Sequence, residues 1–118
     1  MTRRGDVVVL QFPYVGGGAG KKRPAVVVQC DRLNRKIQNT VVAMITGNLR
    51  LVGQEPTQLL VDPATPDGQP SGLSYPSAVK CENLVTVAQA DILQTIGRLS
   101  DILRQKLNEC LKAALELR

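Results

Sequence analysis

The stretch YVGGGAGKKRPAVVV (residues 14–28) decides the fold, because its glycine-rich, basic part leads directly into a β-branched run. A nucleotide-binding P-loop needs a glycine, four further residues, Gly-Lys and then Ser or Thr, and it opens a helix. Here the first glycine would fall on Val15 and the hydroxyl on Lys22, and the residues after Pro24 favour a strand. We therefore predict a basic loop between two strands and no nucleotide-binding ATPase.

Short apolar runs on both sides of this loop predict further strands, separated by polar segments. Strands are predicted at residues 5–12, 23–30, 40–46, 57–61 and 78–87. The third run is continuously apolar, so we expect it to be buried on both faces. The polar segment 31–39 is a connection with room for one helical turn, and segment 62–72, rich in Pro, Gly and Asp, is a loop.

The C-terminal segment changes its period from that of a strand to that of a helix. Ser100 is a suitable N-cap, and Asp101 in the first turn suits the helix dipole. One apolar helical face is predicted, made of Leu103, Leu107, Cys110, Leu111, Ala114 and Leu115. Many short strands followed by one helix indicate a mainly β (α+β) fold, a small barrel-like domain with a C-terminal helix.

Length and hydropathy suggest one domain spanning residues 1–118, since a chain of this size holds a single core. No apolar run approaches the roughly 20 residues of a membrane-spanning helix. The opening residues MTRRGD lack the apolar stretch of a signal peptide. We therefore expect a cytoplasmic protein that does not enter a membrane.

The residue types that are missing limit the possible chemistry. The chain has no histidine, which excludes an imidazole base and the commonest metal ligand. Its three cysteines, Cys30, Cys81 and Cys110, lack metal-site spacing and are expected to be small buried hydrophobes. We expect no metal and no cofactor.

The charge of the chain favours a polyanionic partner. The formal net charge is +5 and the pI is about 9.5. The only aromatic residues are Phe12, Tyr14 and Tyr75, so extensive stacking of bases on aromatic rings is not expected. Arginines would then carry more of the recognition.

Five blocks of sequence carry a family resemblance through their order and spacing. They are RGDVVVLQFP, KRPAVVVQ, TVVAMIT, GLSYPSAVKCENLVTV and IGRLS, which start at residues 4, 22, 40, 72 and 96. Together they resemble the MazF/PemK family of bacterial toxins from type II toxin–antitoxin systems. The resemblance covers nearly the whole chain.

The resemblance implies a fold, an activity and partners. The fold would be an SH3-like barrel of the CcdB/MazF/PemK type with a C-terminal helix, usually in a homodimer. The activity would be metal-independent, sequence-selective cleavage of single-stranded RNA (mRNA), leaving 2′,3′-cyclic phosphate and 5′-hydroxyl ends. A cognate antitoxin would inhibit the toxin by wrapping a disordered segment over the RNA groove.

The resemblance also implies two catalytic residues. Arg23 matches the arginine of the family's Arg-Pro motif, and Thr46 matches the threonine that closes its Ile-Thr strand. A guanidinium offers donors suited to phosphoryl oxygens, and a hydroxyl can donate to such an oxygen or orient the 2′-hydroxyl. RNA supplies its own 2′-hydroxyl nucleophile, so the reaction requires neither a metal nor a histidine.

Six further residues are predicted to contact RNA. Ser77 matches a family serine near the scissile phosphate, Phe12 lies where the family places a residue under the substrate, and Lys21 and Lys22 are candidate backbone contacts. Two more occupy positions that lie close to bases in the family: Asn48 and Glu82. The sequence departs from common family patterns at Gly47-Asn48, at Glu82-Asn83 and in the glycine loop, so the cleavage motif does not transfer.

Two other functions stay open at this point. A catalytically inactive relative would serve as a binding module for RNA or antitoxin, and a CcdB-like toxin would poison DNA gyrase. The Arg-Pro and Ile-Thr motifs speak against the gyrase poison. A DNA-reading module is disfavoured because the one clear helix has an apolar face that must be buried.

Overall fold

A computed structural model of the chain describes residues 2–12 and 21–118, without the side chain of Phe12. The predicted glycine loop therefore lies outside the described residues. The described part forms six strands and two α-helices: β1 (Asp6–Phe12), β2 (Lys21–Val27), α1 (Asp31–Lys36), β3 (Asn39–Thr46), β4 (Gln58–Val61), β5 (Ser77–Ala88), β6 (Ile92–Arg98) and α2 (Asp101–Leu115). Short 3₁₀ turns occur at Gln69–Ser71 and Gln89–Asp91.

The strands form one antiparallel sheet in the order β4-β5-β3-β2-β1-β6. The prediction of a mainly β fold with a C-terminal helix is confirmed. The strand β6 was not predicted: within the described part of the chain it pairs with β1 alone, and all of its side chains are exposed or half-buried. An edge strand of this kind lacks the clear alternation that marks a half-buried strand.

Alternating side chains of the sheet enter two apolar clusters on its opposite faces. On one face Val7, Val26 and Ile45 pack with residues of β4, β5 and α2. On the other face Val8, Val27 and Val42 pack against the far half of β5 and the start of β6. The third predicted strand is thus buried on both faces, as its continuous apolar run indicated.

The helix α2 begins and packs largely as the sequence predicted. The hydroxyl of Ser100 accepts a hydrogen bond from the backbone N–H of Leu103 at 3.2 Å, which caps the helix. Its buried residues are Leu103, Leu107 and Cys110, while Leu111 and Ala114 are partly buried. The prediction that Leu115 belongs to the buried face is wrong, because its side chain is 53% exposed in the last turn.

The cysteines divide between core and surface. Cys81 on β5 and Cys110 on α2 are buried in the same apolar cluster, as predicted. The prediction for Cys30 is wrong: it precedes α1 at the N-cap position and is exposed. None of the helices within the described residues is long and apolar enough to cross a membrane.

The loop between β4 and β5 closes over the edge strand β6. Gly72 has φ 73°, a left-handed conformation suited to glycine, and a Cβ there would collide with the carbonyl of Ile96. Gly97 on β6 approaches the backbone of Ser71 equally closely. The segment 73–75 that follows is therefore fixed beside the sheet, where it forms one wall of a cavity.

Candidate active site

The largest predicted group of site residues converges on one cavity of about 340 Å³, here called the main cavity. It lies between the starts of β2 and β5, the end of β3, and the segment 72–75. Its apolar lining comes from Val9, Pro24, Ile45, Leu73 and Ile96. Its polar lining comes from Lys21, Lys22, Arg23, Thr46, Ser74, Tyr75 and Ser77.

The pairing of β2 with β3 places the two predicted catalytic residues together. Ala25 pairs with Met44 in the antiparallel register. Arg23 and Thr46 each lie two residues beyond this pair, so both side chains fall on the same face at the same end of the sheet. Both line the main cavity.

The cations of the main cavity have no carboxylate partner among the described residues that line it. Lys21, Lys22 and Arg23 follow one another at the start of β2, and all three side chains are exposed. The ion pairs found within the described residues lie on α2, and no Asp or Glu is among the described residues that line the cavity. A cavity with three cations and no described carboxylate attracts anions such as phosphate.

Thr46 is held in place by the turn that follows β3. Its Oγ1 accepts a hydrogen bond from the backbone N–H of Asn48 at 3.1 Å. The hydrogen of the same hydroxyl has no acceptor among the residues that the structure describes, so it can donate to a group in the cavity. This arrangement suits a donor to a phosphoryl oxygen.

Ser77 lines the main cavity but its hydroxyl hydrogen is used within the protein. The side chain is 2% exposed, and Oγ donates to the carbonyl of Tyr75 at 2.9 Å. Ser77 therefore fixes the backbone of the cavity wall, and only its oxygen lone pairs remain for a ligand.

Tyr75 is a further lining residue of the main cavity, and only its aromatic character was noted from the sequence. Its side chain is 58% exposed. A Cβ added to Gly47 would lie 3.0 Å from the ring atom Cε2, so the glycine makes room for the ring. The sequence signal for Tyr75 was an aromatic residue close to Ser77 in a predicted loop. Only the folded structure shows that Tyr75 lines the cavity.

Asn48 lies in a smaller neighbouring cavity of about 130 Å³, here called the side cavity. Thr46 lines both cavities, so they adjoin. The Oδ1 of Asn48 accepts a hydrogen bond from the backbone N–H of Arg50 at 3.0 Å. The side cavity is also lined by three residues that were not predicted from the sequence: Arg50, Gln58 and Lys80.

Glu82 lies behind the side cavity and is not among its lining residues. Its carboxylate accepts hydrogen bonds from Gln58 Nε2 at 2.7 Å and from Thr57 Oγ1 at 3.1 Å. Partial burial raises the pKa of Glu82, but the hydrogen bond from Gln58 and weaker contacts, including that from Thr57, outweigh it and leave the pKa below its ordinary value. The carboxylate therefore stays charged and orients Gln58.

The remaining predicted contact, Phe12, ends β1, where its backbone pairs with Lys21. Its side chain lies outside the described residues, so its role stays a prediction. Within residues 2–12 and 21–118 there is no group of three His, Cys, Asp or Glu placed to hold a metal ion.

The fold and the cationic cavity define a class of protein that comparison with known proteins identifies. The family model of the PemK-like, MazF-like toxin of type II toxin–antitoxin systems matches residues 3–115, so the chain belongs to this family. The family predicted from the five sequence blocks is confirmed.

Two relatives of established name match over nearly their full lengths. Endoribonuclease MazF9 of Mycobacterium tuberculosis is 30% identical over 121 residues, which cover 99% of this chain and 98% of the relative. Endoribonuclease EndoA of Bacillus subtilis is 29% identical over 118 residues, which cover 99% and 97% of the two chains.

Solved structures agree on the fold. The Mycobacterium tuberculosis toxin MazF-mt6 superposes with a TM-score of 0.76 at 26% identity, covering 96% of this chain and 98% of that one. A mycobacterial endoribonuclease in complex with its cognate antitoxin gives a TM-score of 0.79 at 22% identity, covering 100% and 98%. The second likeness shows the fold alone.

Proposed function

We propose that this chain is a toxin endoribonuclease that cuts single-stranded RNA at short sequences by attack of the 2′-hydroxyl on the adjacent phosphate. The observation that carries the proposal is the main cavity, where Arg23, Thr46 and two lysines surround one space. The relatives MazF9 and EndoA, each named an endoribonuclease, support the same reaction class.

The proposed reaction forms one bond and breaks another at phosphorus. The 2′-oxygen bonds to phosphorus, the bond from phosphorus to the 5′-oxygen breaks, and the products carry a 2′,3′-cyclic phosphate and a 5′-hydroxyl. The nucleophile loses a proton and the leaving oxygen gains one. Charge accumulates on the non-bridging oxygens in between, where preorganised donors are most effective.

Each cavity residue has a role that fits its geometry. The Arg23 guanidinium directs paired donors at the non-bridging oxygens. The hydroxyl of Thr46, positioned by Asn48, donates a further hydrogen bond to the same oxygens. Lys21 and Lys22 hold neighbouring phosphates, and the ring of Tyr75 supports a base.

A cognate antitoxin and a second copy of the chain complete the proposal. One structural neighbour is an endoribonuclease bound to its cognate antitoxin, and a MazE–MazF pair from Deinococcus radiodurans shares the fold. We propose that this chain acts in the cytoplasm as a homodimer and that an acidic antitoxin segment competes with RNA for the cationic cavity. Light scattering of the purified chain, alone and with its antitoxin, measures both assemblies.

The test uses a long single-stranded RNA in excess chelator, with fragment ends mapped for sequence and for cyclic phosphate. The parent chain is expected to cut at discrete sites and to leave cyclic ends. Arg23→Ala and Thr46→Val each remove one oxyanion contact and are expected to lower the rate by about 10²–10³. Arg32→Ala, which changes an exposed arginine on α1 away from both cavities, is expected to cut at the parent rate.

Two results would overturn this proposal. If Arg23→Ala and Thr46→Val both cut at the parent rate, the main cavity is not the active site. If the parent leaves RNA of randomised sequence intact but binds it, the chain is a binding module; a supercoiling assay then tests the gyrase poison directly.

A further inference from the structure

The side cavity is lined by polar side chains that have no role in the proposed cleavage. Its volume is about 130 Å³, which is less than the roughly 150 Å³ of an internal cavity that holds one benzene ring, so it can receive the polar edge of a base but not a whole base. It shares Thr46 with the main cavity. An RNA strand with its scissile phosphate at Thr46 would therefore place an adjacent base at the mouth of the side cavity.

Gln58 lines the side cavity, and the orientation of its side-chain amide is fixed. Gln58 donates from Nε2 to the carboxylate of Glu82 at 2.7 Å, and a carboxylate cannot donate in return. The amide is thus fixed with Oε1 as its acceptor. This atom is buried and has no hydrogen-bond partner among the described residues. A buried acceptor without a partner is unfavourable, so a hydrogen bond from a ligand N–H would stabilise the complex.

The other polar groups of the side cavity are donors. Arg50 and Lys80 form no ion pair within the described part of the chain, and Lys80 lies opposite Gln58 in the β4–β5 register. The oxygen of the Asn48 amide already accepts from the backbone of Arg50, which leaves its NH₂ group for a ligand. The side cavity therefore offers several donors and one fixed acceptor.

Among the bases, guanine matches this pattern. Its adjacent O6 and N7 both accept, and contacts from arginine or lysine to these two atoms are the commonest base-specific contacts in protein–DNA complexes. Its N2 amino group donates, which suits Gln58 Oε1. Adenine carries an amino donor in place of O6 and so offers the two cations only N7 on this edge. Cytosine carries two adjacent acceptors and an amino donor on the Watson–Crick edge of a smaller ring, so enrichment of cytosine in the bound RNA would refute the choice of guanine.

Resting on the proposed function, we infer that the side cavity is a guanine-binding subsite for a nucleotide next to the scissile phosphate. Arg50 and Lys80 donate to guanine O6 and N7, and Gln58 Oε1 accepts from the N2 amino group. Glu82 is a positioning residue that holds the Gln58 amide in this orientation. Loss of one good contact of this kind is expected to weaken selection of guanine by roughly 5–150-fold.

The first test separates binding from cleavage by using one random-sequence RNA pool in chelator. The bound fraction and the cleaved ends are sequenced independently. Guanine is expected at one fixed position in the bound RNA of the parent chain. Lys80→Ala and Gln58→Leu are expected to lose this enrichment while they still bind RNA, and Lys106→Ala, an exposed lysine on α2, is expected to keep it.

The second test changes the ligand and leaves the protein intact, so it does not depend on the folding of a variant. In the selected RNA, inosine removes only the N2 amino group and 7-deazaguanine removes N7. Each is expected to weaken binding to the parent chain. The 7-deazaguanine penalty is expected to shrink in Lys80→Ala, because a double-mutant cycle isolates that contact.

The outcomes distinguish the two proposals. Guanine enrichment without cleavage supports the subsite and refutes the endoribonuclease. Discrete cleavage without a guanine position, or with a guanine preference unchanged in Lys80→Ala and Gln58→Leu, supports the endoribonuclease and refutes the subsite. The absence of both enrichment and cleavage refutes both.

Discussion

Thr46 is the residue on which the two cavities meet. Its backbone ends β3, its Oγ1 accepts from Asn48, and its side chain lines the main and the side cavity. A single hydroxyl therefore adjoins the proposed phosphate position and the proposed base position. Such a residue couples recognition of sequence to the geometry of cleavage, because a misplaced base would shift the phosphate relative to its donors.

Tyr75 yields a prediction at the residue scale. If its exposed ring supports a base, Tyr75→Ala should weaken RNA binding by about 1–3 kcal/mol, as for the loss of one stacked base. Tyr75→Phe keeps the ring and should bind as the parent does. Fluorescence anisotropy with the Arg23→Ala background measures binding without cleavage. Equal affinity of the alanine and phenylalanine variants would remove Tyr75 from the RNA surface.

The sequence could predict some lining residues of the two cavities and not others, for a physical reason. Arg23 and Thr46 were predicted as catalytic residues because a family resemblance covers the strands that carry them, and both line the main cavity. Gln58 and Lys80 were not predicted because they meet across a strand pair, and cross-strand register is not written in either strand alone. Glu82 was predicted to contact RNA, and that contact stays a prediction. In the structure its carboxylate accepts a hydrogen bond from Gln58 and does not line the side cavity.

At the scale of elements, α2 stabilises the sheet that shapes the cavities. Its buried residues pack with β4 and β5, the strands that carry Gln58 and Lys80. The amphipathic period predicted this helix well, because a buried stripe recurs every three to four residues. The period could not predict where the stripe ends: Ala114 still packs against the core, whereas Leu115, the last residue of the helix, is exposed.

Two leucines of α2 give a matched stability prediction. Leu107 is fully buried, so Leu107→Ala should lower the free energy of unfolding by about 2–5 kcal/mol. Leu115→Ala makes the same chemical change at an exposed site and should cost less than about 0.5 kcal/mol. Urea unfolding followed by circular dichroism compares them. Similar losses in both variants would contradict the placement of the helix.

The start of α1 gives a prediction about pH. The backbone N–H of Arg4 donates to Asp31 at 2.7 Å, and this bond is the main reason that the pKa of Asp31 lies below its ordinary value. As the pH falls, Asp31 is therefore protonated near pH 4 in the unfolded chain and only at a lower pH in the folded chain. The contribution of Asp31 to stability is complete above about pH 4 and is lost as the pH falls further.

Asp31→Asn keeps an oxygen acceptor but removes the titration. The parent should lose more stability than this variant as the pH falls from about 5 to 2, measured by urea unfolding at a series of pH values. Parallel profiles for the two proteins would show that the Arg4–Asp31 bond does not persist in solution.

At the scale of the whole molecule, the positive charge is placed where it serves the proposed substrate. The net charge is +5, and the main cavity is lined by three neighbouring cations with no carboxylate among its described residues. The main cavity is thus the location that we propose for the polyanionic partner suggested by composition. Composition alone could not supply that location, because it depends on the hairpin of β1 and β2 bringing Lys21 beside Phe12 at one end of the sheet.

This placement predicts a steep dependence of RNA affinity on salt. The logarithm of the association constant should fall with the logarithm of the salt concentration, with a slope of about −0.7 for each single-strand phosphate contact. Replacing Lys21 and Lys22 together by alanine should make the slope less steep by about 1.4 if each lysine holds one phosphate. An unchanged slope would exclude both lysines from the backbone contacts.

The most direct test of the central claim concerns the nucleophile. A synthetic RNA that contains the cleavage sequence is prepared with one 2′-deoxynucleotide on the 5′ side of the cut, and its cleavage and binding are compared with those of the all-ribose strand. We expect cleavage at that bond to disappear while binding to the Arg23→Ala variant is retained, because only the attacking hydroxyl is missing. Cleavage of the modified strand at the parent rate would contradict 2′-hydroxyl attack in the main cavity.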